Sequence, residues 1–327
     1  MQIYQKLQEK LKEVQENVEL KQYSTFKLGG PAKYFFVAKT KENLIKALKV
    51  AKELNLDYFI LGGGSNILVN DNGFDGLVIK IEIKDLQISD KIIKADAGAL
   101  LGQVVNLAMQ NDLSGMEWAC GIPGTIGGAV RGNAGAYGQD ASKNLIKVEV
   151  YDIQNDQIIE MSVDDCQFNY RESLFKANKN FIVLSAEFQF ELGDKEEIKK
   201  DMLELTKKRI CSQPKFPSVG CNFKNIIVTN EIKDKIKEID ESGLGAIKTD
   251  SKTGVSKIGS AWFIDRAGLK GHEIGGAKVS NEHANFIVKF KEDGKADDVV
   301  QLVSYIKQQV RAKFGIQLQE ELQYVGF

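Results

Sequence analysis

Two glycine-rich runs are the segments whose residue types and spacing could hold a ligand. Seven glycines fall between Gly121 and Gly138, and a shorter run covers residues 62–66. Glycine lacks a Cβ, so it adopts positive φ and lets another group approach the main chain closely. The same density weakens both helices and strands. We therefore expect both runs to wrap main chain around a flat or anionic ligand, such as a phosphate-bearing dinucleotide.

The order of elements around the shorter run excludes two common nucleotide sites. The run joins a predicted strand, 58–61, to a second apolar run, 67–69. A Rossmann site needs a helix after the glycines, and a Walker loop needs Gly-Lys-Ser/Thr; neither pattern is present. Main-chain amides of a turn can still form a nest for phosphate oxygens. The alternative is a glycine-rich hairpin turn. At Gly63 we expect positive φ, which a valine would tolerate poorly.

Arg171 and Cys221 are candidates for carboxylate binding and proton donation. The Arg171 guanidinium could clamp a carboxylate with two hydrogen bonds, although an arginine beside Tyr170, just before an apolar strand, is more often a surface charge. Cys221 lies in a loop that opens with Pro217. A thiol has a pKa of roughly 8.5, close to the pH at which proton donors work best. The alternatives for this position are an inert, small apolar cysteine and donation by the nearby Ser218.

Two adjacent glutamates near the C-terminus compete for a catalytic role. Alternation along a predicted strand, 316–325, places Glu320 on the apolar face and Glu321 on the opposite face. Periodicity alone would therefore single out Glu320 as the misplaced carboxylate. The alternative is that both are solvated charges.

Composition narrows the class of protein. The 327 residues are 43% hydrophobic and 27% charged, with a formal net charge of −1. This balance is typical of a globular protein and gives no basic field for nucleic acid. No apolar stretch reaches the roughly 20 residues of a membrane helix, and the start carries no secretion signal, so we expect a cytoplasmic protein.

Cysteine and histidine usage argues against a metal site. The four cysteines form no Cys-x-x-Cys pair, and we expect them to be reduced thiols. The two histidines, His272 and His283, have a spacing typical of no zinc motif. We therefore predict no metal.

Apolar periodicity predicts the elements that position these residues. Helical spacing occurs in the segments 2–18, 41–54 after Thr40 as N-cap, 101–109, 198–205, 261–267 and 299–314 before Gly315. Strands are predicted at 58–61, 67–69, 77–79, 148–151, 157–159, 181–190 and 316–325. A chain of this length suits two or three domains, and we place a boundary near residue 204.

Motifs distributed over nearly the whole chain resemble those of the UDP-N-acetylenolpyruvoylglucosamine reductase family. They occur in order at 23–32, 61–69, 121–129, 133–138, 170–173, 217–225 and 315–322. The resemblance implies an α+β fold: a two-lobed FAD-binding region of the vanillyl-alcohol-oxidase type, residues 1–204 with the lobes divided near 85–90, and a C-terminal α+β substrate-binding domain, 205–327. The short link between Tyr170 and the strand at 181 resembles the shorter subclass.

The resemblance also implies the cofactor site. FAD would be held by Gly62, Gly63, Gly64, Ser65, Asn66, Ile122, Pro123, Gly124, Thr125, Gly127, Gly128 and Ala129, with NADPH as the reductant. Three catalytic residues are implied: Arg171 for the substrate carboxylate, Cys221 as the proton donor and Glu321 as the essential glutamate. The family most often has serine at position 221 and has proline at position 320, so Cys221 and Glu320 are departures from it.

Substrate contacts are implied for Tyr137, Tyr170, Asn225, Lys270 and His283, toward a UDP-sugar. Position 283 varies in the family, and Ile226 replaces its proline after Asn225. Lys270 is alternatively an ordinary surface lysine, and Tyr137 alternatively packs. No nucleic acid, membrane or obligate protein partner is implied.

The activity implied is NADPH-dependent reduction of UDP-N-acetylglucosamine-enolpyruvate to UDP-N-acetylmuramate. This reaction serves peptidoglycan synthesis and hence cell shape and division. Two alternatives remain at this point: a flavin oxidase with another small substrate, and a non-catalytic nucleotide-binding or scaffold protein. A flavin spectrum and the electron acceptor distinguish them.

Overall fold

The computed structural model describes residues 3–250 and 254–327. Its α-helices are α1 (Ile3–Lys10), α2 (Lys41–Glu53), α3 (Leu101–Gln110), α4 (Ile126–Arg131), α5 (Leu174–Ala177), α6 (Lys195–Ser212), α7 (Asn230–Ile239), α8 (Ser260–Arg266) and α9 (Ala296–Phe314). Its 3-10 turns are Leu20–Tyr23, Glu117–Ala119, Ala141–Lys143 and Glu241–Ala246. Its strands are β1 (Gln15–Glu19), β2 (Pro31–Ala38), β3 (Tyr58–Leu61), β4 (Ile67–Val69), β5 (Phe74–Ile81), β6 (Leu86–Ser89), β7 (Ile92–Asp96), β8 (Leu113–Ser114), β9 (Gly135–Ala136), β10 (Gln139–Asp140), β11 (Leu145–Asp152), β12 (Gln157–Ser162), β13 (Phe181–Gln189), β14 (Glu191–Leu192), β15 (Ile226–Ile227), β16 (Lys248–Thr249), β17 (Ser256–Ile258), β18 (Glu273–Ile274), β19 (Ala277–Val279), β20 (Ile287–Lys289) and β21 (Gln323–Val325).

Main-chain packing separates two compact units. Unit 1 comprises Met1–Val18, Pro31–Gly64 and Phe74–Cys211, and unit 2 comprises Glu19–Gly30, Ser65–Gly73 and Ser212–Phe327. The domain boundary placed after residue 204 stays a prediction. The chain passes from unit 1 to unit 2 immediately after the glycines of the shorter run.

Unit 1 is built on two sheets. In the first, β2, β5 and β3 are parallel neighbours, with β1 beside β2 and α2 packed on β2 and β5. The second is antiparallel, in the order β12-β11-β13-β7-β6. Large apolar side chains such as Tyr34, Trp118 and Phe188 fill the core of this unit.

Unit 2 is built around α9 and three small sheets. These are β15-β17-β16, β18-β19-β20 and the parallel pair of β21 with β4. Helix α9 packs against β18 and β19 and buries one apolar face that includes Val299, Leu302 and Ile306. Gly315 ends this helix in the left-handed conformation, φ 68°, as predicted.

The pairing of strands contradicts the hairpin alternative for the shorter glycine run. Strand β3, before the glycines, pairs with β5, whereas β4, after them, pairs with β21. The glycines therefore lead the chain out of one sheet and into another.

Most predicted elements are confirmed, and two are wrong in extent. Thr40 caps α2 by accepting a 3.2 Å hydrogen bond from the Asn43 amide, as expected. The helix predicted over 2–18 ends at Lys10, and Glu13 turns the chain with φ 70° into β1. The terminal strand predicted over 316–325 is regular only in β21.

Candidate active site

The two glycine runs lie against each other within unit 1. A Cβ on Gly63 would lie 2.7 Å from the Cα of Gly124, and a Cβ on Gly62 would lie 2.7 Å from Oγ1 of Thr125. Both distances are shorter than van der Waals contact, so side chains at positions 62 and 63 would push the runs apart. The two runs thus pack main chain against main chain, and we call this pair of runs the glycine surface.

The conformation of the shorter run differs in one detail from the prediction. Positive φ occurs at Gly64, 63°, and not at Gly63. The requirement for glycine at position 63 is therefore steric: its missing side chain makes room for the main chain of Gly124 and Thr125.

The second run is fixed from beneath by the segment after β7. The amides of Ile126 and Gly127 donate to the carbonyls of Ala99 and Ala97, each at 2.9 Å. A Cβ on Gly127 would come within 2.9 Å of the Ala97 Cβ, so this glycine also serves close packing. Thr125 caps α4 through the amide of Gly128.

The remaining predicted cofactor residues are divided between the two units. Ile122 is half-buried, Pro123 and Gly128 are exposed, and Ala129 is buried inside α4. Ser65 belongs to unit 2 and is half-buried. Asn66 is also in unit 2. Its side-chain amide donates to the Glu321 carbonyl at 3.1 Å, and its main-chain carbonyl accepts from the Gln323 amide at 3.0 Å.

Lys80 is a cation beside the glycine surface that the sequence did not reveal. Its Nζ donates to the carbonyl of Gly62. Burial lowers the pKa of Lys80 below its usual 10.5, because a desolvated ammonium is disfavoured. Lys80 follows the buried apolar residues Val78 and Ile79 in β5. Nothing in the neighbouring sequence predicts its contact with the Gly62 carbonyl.

Arg171 lies in a strained turn that brings it to the second glycine run. Asn169 and Glu172 close the turn by exchanging main-chain hydrogen bonds, and Arg171 adopts φ 57°, which non-glycine residues rarely do. Its Nη2 donates to the Gly135 carbonyl at 2.7 Å and Nη1 donates to the Asn133 carbonyl at 3.3 Å. A strained backbone held by such contacts is typical of functional positions.

Tyr170 and Tyr137 lie on the same part of unit 1. The Arg171 guanidinium is 5.4 Å from the centre of the Tyr170 ring. Tyr137, also at positive φ, is 48% exposed and lies under the Arg209 guanidinium at 5.1 Å. Arg209 also donates to the Trp118 carbonyl at 3.1 Å. Arg209 is not among the predicted site residues, because its helix α6 is mostly exposed and no apolar stripe surrounds it.

Cys221 and Glu321 lie on adjacent extended segments of unit 2. The segment around Cys221 runs between two others: Cys221 pairs with Phe286 on one side, and Phe223 pairs with Glu320 on the other. The Glu321 amide donates to the Asn222 carbonyl at 2.8 Å. Cys221 is half-buried, next to Gly220 with φ 81°.

The two competing glutamates have different surroundings. Glu320 forms an ion pair with Lys307 at 2.5 Å. Because directly opposed residues of an antiparallel pair share a face, Glu320 shares the face of Phe223, whereas Glu321 shares that of Asn222. An ion-paired Glu320 accounts for a carboxylate on the apolar side of this segment.

His283 and Lys270 are neighbours in unit 2. Burial lowers the pKa of His283 below its usual 6.5, and the charge of Lys270 lowers it further. The His283 Nδ1 accepts from the Asn285 amide at 3.2 Å, which requires that nitrogen to be unprotonated. Lys270 pairs with Asp265 at 3.1 Å, and Asn225 is exposed.

Two general features bear on partners. Within residues 3–250 and 254–327, no group of three or more histidine, cysteine or carboxylate side chains is arranged to hold a metal ion. In the same part of the chain, no helix is long and apolar enough to cross a bilayer.

Comparison with known proteins matches two family profiles to this chain. The profile described as FAD binding domain covers residues 32–162, and that of the UDP-N-acetylenolpyruvoylglucosamine reductase C-terminal domain covers 213–325. The first range contains both glycine runs, and the second contains Cys221, Asn225, Lys270, His283 and Glu321. Tyr170 and Arg171 fall between the two ranges.

Similar proteins match over nearly their whole length. The UDP-N-acetylenolpyruvoylglucosamine reductase of Caldanaerobacter subterraneus is 38% identical, with 98% of this chain and 97% of the relative covered. That of Clostridium botulinum strain Alaska E43 is 36% identical, covering 96% and 93%. The crystal structure of the Thermus caldophilus reductase superposes with a TM-score of 0.74 at 31% identity, covering 95% of this chain and 98% of that one.

These matches confirm the α+β fold with its FAD-binding region and its C-terminal domain. They also confirm an FAD-containing oxidoreductase. This chain therefore belongs to the UDP-N-acetylenolpyruvoylglucosamine reductase family.

Proposed function

We propose that this protein reduces the enolpyruvyl group of UDP-N-acetylglucosamine-enolpyruvate to a lactyl ether, giving UDP-N-acetylmuramate for peptidoglycan synthesis, with FAD as cofactor and NADPH as reductant. The observation that carries the proposal is the pair of glycine runs packed main chain to main chain, in a chain that matches the family along 98% of its length. When bound, FAD supplies the two-electron carrier between NADPH and the enol ether.

The glycine surface fits FAD. The glycines at 62–64, 124, 127 and 128 offer main chain without side chains, as the close approach of a pyrophosphate requires. The half-buried Lys80 adds a positive charge beside Gly62. The proposed cofactor residues are those of the two runs, together with Ser65 and Asn66.

Arg171 is proposed to bind the substrate carboxylate. Its guanidinium is anchored by the carbonyls of Asn133 and Gly135, so its planar donors are fixed before substrate arrives. Reduction of the adjacent double bond moves negative charge onto that carboxylate. A fixed cation therefore stabilises the transition state more than the ground state. Glu321 is proposed to act with Arg171 on the same intermediate.

Cys221 is proposed to protonate the α-carbon. The S–H bond breaks as the C–H bond forms, and the thiolate recovers its proton from solvent. Tyr137, Tyr170, Asn225, Lys270 and His283 are proposed to contact the UDP-sugar. Lys270, beside a neutral His283, supplies a cation for a diphosphate.

We propose that the reaction takes place in the cytoplasm, where NADPH is produced, and that the protein needs no macromolecular partner. The near-zero net charge offers no field that would attract nucleic acid. The substrates are two diffusible small molecules.

The decisive experiment follows both half-reactions anaerobically. Purified protein should show a flavin absorbance spectrum, and acid should release the FAD. When NADPH is added to the intact protein, the flavin absorbance should be bleached. UDP-N-acetylglucosamine-enolpyruvate should then restore the oxidised spectrum and yield UDP-N-acetylmuramate. Reoxidation by oxygen alone would instead indicate an oxidase. A colourless protein that FAD cannot reconstitute would contradict the proposal.

A further inference from the structure

Two buried asparagines lie beside the segment that carries Cys221. The exposed fraction is 0% for Asn222 and 2% for Asn285. Buried amide groups are costly unless they form hydrogen bonds, so the partners of these side chains show what they hold.

The Asn285 side chain forms hydrogen bonds with the main chain of Phe223, as the main chain of a neighbouring strand would. Its Oδ1 accepts from the Phe223 amide at 2.9 Å, and its Nδ2 donates to the Phe223 carbonyl at 2.8 Å. The Asn285 carbonyl in turn accepts from the Asn222 amide at 2.8 Å. Both main-chain polar groups of Phe223 are therefore fixed by one side chain that lies 62 positions away.

The Asn222 side chain closes the arrangement from the other side. Its Nδ2 donates to the carbonyls of Gly220 at 3.4 Å and Asn285 at 3.3 Å. Because both neighbours are acceptors, the amine must face them and Oδ1 must point the other way. That Oδ1 is buried and has no hydrogen-bond partner among residues 3–250 and 254–327.

Stability alone does not account for Asn222. An apolar residue of similar size would remove the unpaired acceptor, and the Asn285 carbonyl would keep its hydrogen bond from the main chain of residue 222. What the side chain does provide is a link across the two residues that flank Cys221.

The same arrangement reaches two further candidate residues. The Asn222 carbonyl accepts from the Glu321 amide at 2.8 Å, and the Asn285 amide donates to Nδ1 of His283 at 3.2 Å. We call the side chains of Asn222 and Asn285, with their hydrogen bonds to the main chain of Gly220, Phe223 and Asn285, the asparagine clasp. The main chain of the same two asparagines makes the contacts with Glu321 and His283, so the clasp lies where the segments that carry Cys221, Glu321 and His283 meet.

We propose that the asparagine clasp positions Cys221 for proton donation, with Asn222 and Asn285 as positioning residues. This inference rests on the proposed function. Small displacements of a reacting group can cost a hundredfold in rate. Loosening the clasp should thus slow protonation of the substrate without affecting steps that do not need the thiol.

The test is Asn222→Leu in the full-length, FAD-loaded protein. NADPH should reduce the flavin at a rate within twofold of wild type, and the dissociation constant of the UDP-sugar should stay within threefold. Product formation should slow by about 10- to 100-fold. Its solvent deuterium isotope effect should rise, because proton transfer then limits the rate. The midpoint of thermal unfolding should be equal to or higher than that of wild type.

Asn281→Leu is the matched control, since Asn281 is an exposed asparagine just before the same segment and should change none of these quantities. Asn285→Leu and the double variant should lose no more rate than Asn222→Leu, because the two act as one unit. If Asn222→Leu fails to fold, Asn222→Thr is measured by the same criteria.

Product formation within twofold of wild type, with an unchanged isotope effect, would overturn the inference. An equal loss in both half-reactions with a lowered unfolding midpoint would also overturn it, because the role would then be structural. A wild-type protein that makes no UDP-N-acetylmuramate would instead refute the proposed function.

Discussion

The main-chain amide of Glu321 donates a 2.8 Å hydrogen bond to the carbonyl of Asn222, the residue that follows Cys221. One hydrogen bond therefore joins the segments of a candidate acid and a candidate charge-stabilising carboxylate. The Asn66 side chain binds the Glu321 carbonyl at 3.1 Å, so Glu321 is held by its main chain on both sides. The ion pair with Lys307 is formed by the neighbouring residue, Glu320.

Replacement of each glutamate separates these roles. Glu321→Gln should retain FAD and NADPH-dependent flavin reduction but slow product formation by about 100-fold or more, as is typical when charge stabilisation is lost. Glu320→Gln should keep the rate within a few-fold and destabilise the fold by no more than ~1 kcal/mol, since it removes only a partly exposed ion pair. Stopped-flow half-reactions and denaturant unfolding measure both effects. The reverse pattern would assign the catalytic role to Glu320.

The glycine surface makes a steric prediction. Gly63→Val should lower FAD affinity by at least tenfold, because its Cβ would lie 2.7 Å from the main chain of Gly124 and separate the two runs. Gly102→Ala is the control: in helix α3 a Cβ at this position meets no atom within 4 Å, so stability should rise slightly. Flavin fluorescence titration of the apoprotein gives both affinities. An unchanged affinity in Gly63→Val would show that contact between the runs is not needed.

Local patterns predicted those parts of the fold that local physics determines. The period of apolar residues and the Thr40 and Gly315 caps gave helices α2 and α9, and glycine density located the two runs that pack against each other. The asparagine clasp could not be predicted, because Asn222 and Asn285 are 63 positions apart and neither interrupts a pattern. Lys80 is similar: its contact with Gly62 depends on the parallel pairing of β3 with β5. The faces of Glu320 and Glu321 could be assigned only from the main-chain pairing of Phe223 with Glu320.

Arg171→Lys tests the anchored fork. A lysine cannot bond the carbonyls of both Asn133 and Gly135 in the same plane, so reoxidation of the flavin by substrate should slow by about 100-fold or more. The flavin spectrum should not change. Arg266→Lys is a suitable control, because Arg266 also makes a two-nitrogen contact, with Asp240 on the surface of unit 2. Reoxidation at the wild-type rate in Arg171→Lys would exclude the proposed carboxylate clamp.

His283 predicts a pH dependence of stability. Its pKa is lowered in the folded state by burial, so the unfolded chain binds a proton more readily. The contribution of neutral His283 to the free energy of unfolding is thus fully present above pH 6.5. It is lost as the pH falls through the lower folded pKa, with a slope of at most ~1.4 kcal/mol per pH unit. When the pH is lowered from 7.5 to 5, the free energy of unfolding measured in urea should fall less for His283→Gln than for wild type. His272→Gln serves as the comparison variant, and equal slopes for wild type and His283→Gln would contradict the prediction.

Cys221 can be isolated chemically from the other cysteines. Cys166 is buried, which raises its pKa to about 12, and Cys120 is half-buried with its Sγ 3.3 Å from the Thr206 hydroxyl. Cys211 is exposed, so Cys211→Ser should first be introduced to remove the competing thiol. In this background, alkylation should modify Cys221 and substrate should protect it.

Loss of the Cys221 thiol should divide the reaction between its two halves. Cys221→Ala should leave reduction of the flavin by NADPH near the wild-type rate and slow product formation by ~10²–10⁴-fold, the usual contribution of general acid catalysis. Cys221→Ser should retain activity, because a hydroxyl in the same place can also donate a proton. Stopped-flow reduction and a product assay measure the two halves, and alkylation should reproduce the alanine result. Product formation at the wild-type rate by Cys221→Ala would mean that the proton comes from Ser218 or from a bound water instead.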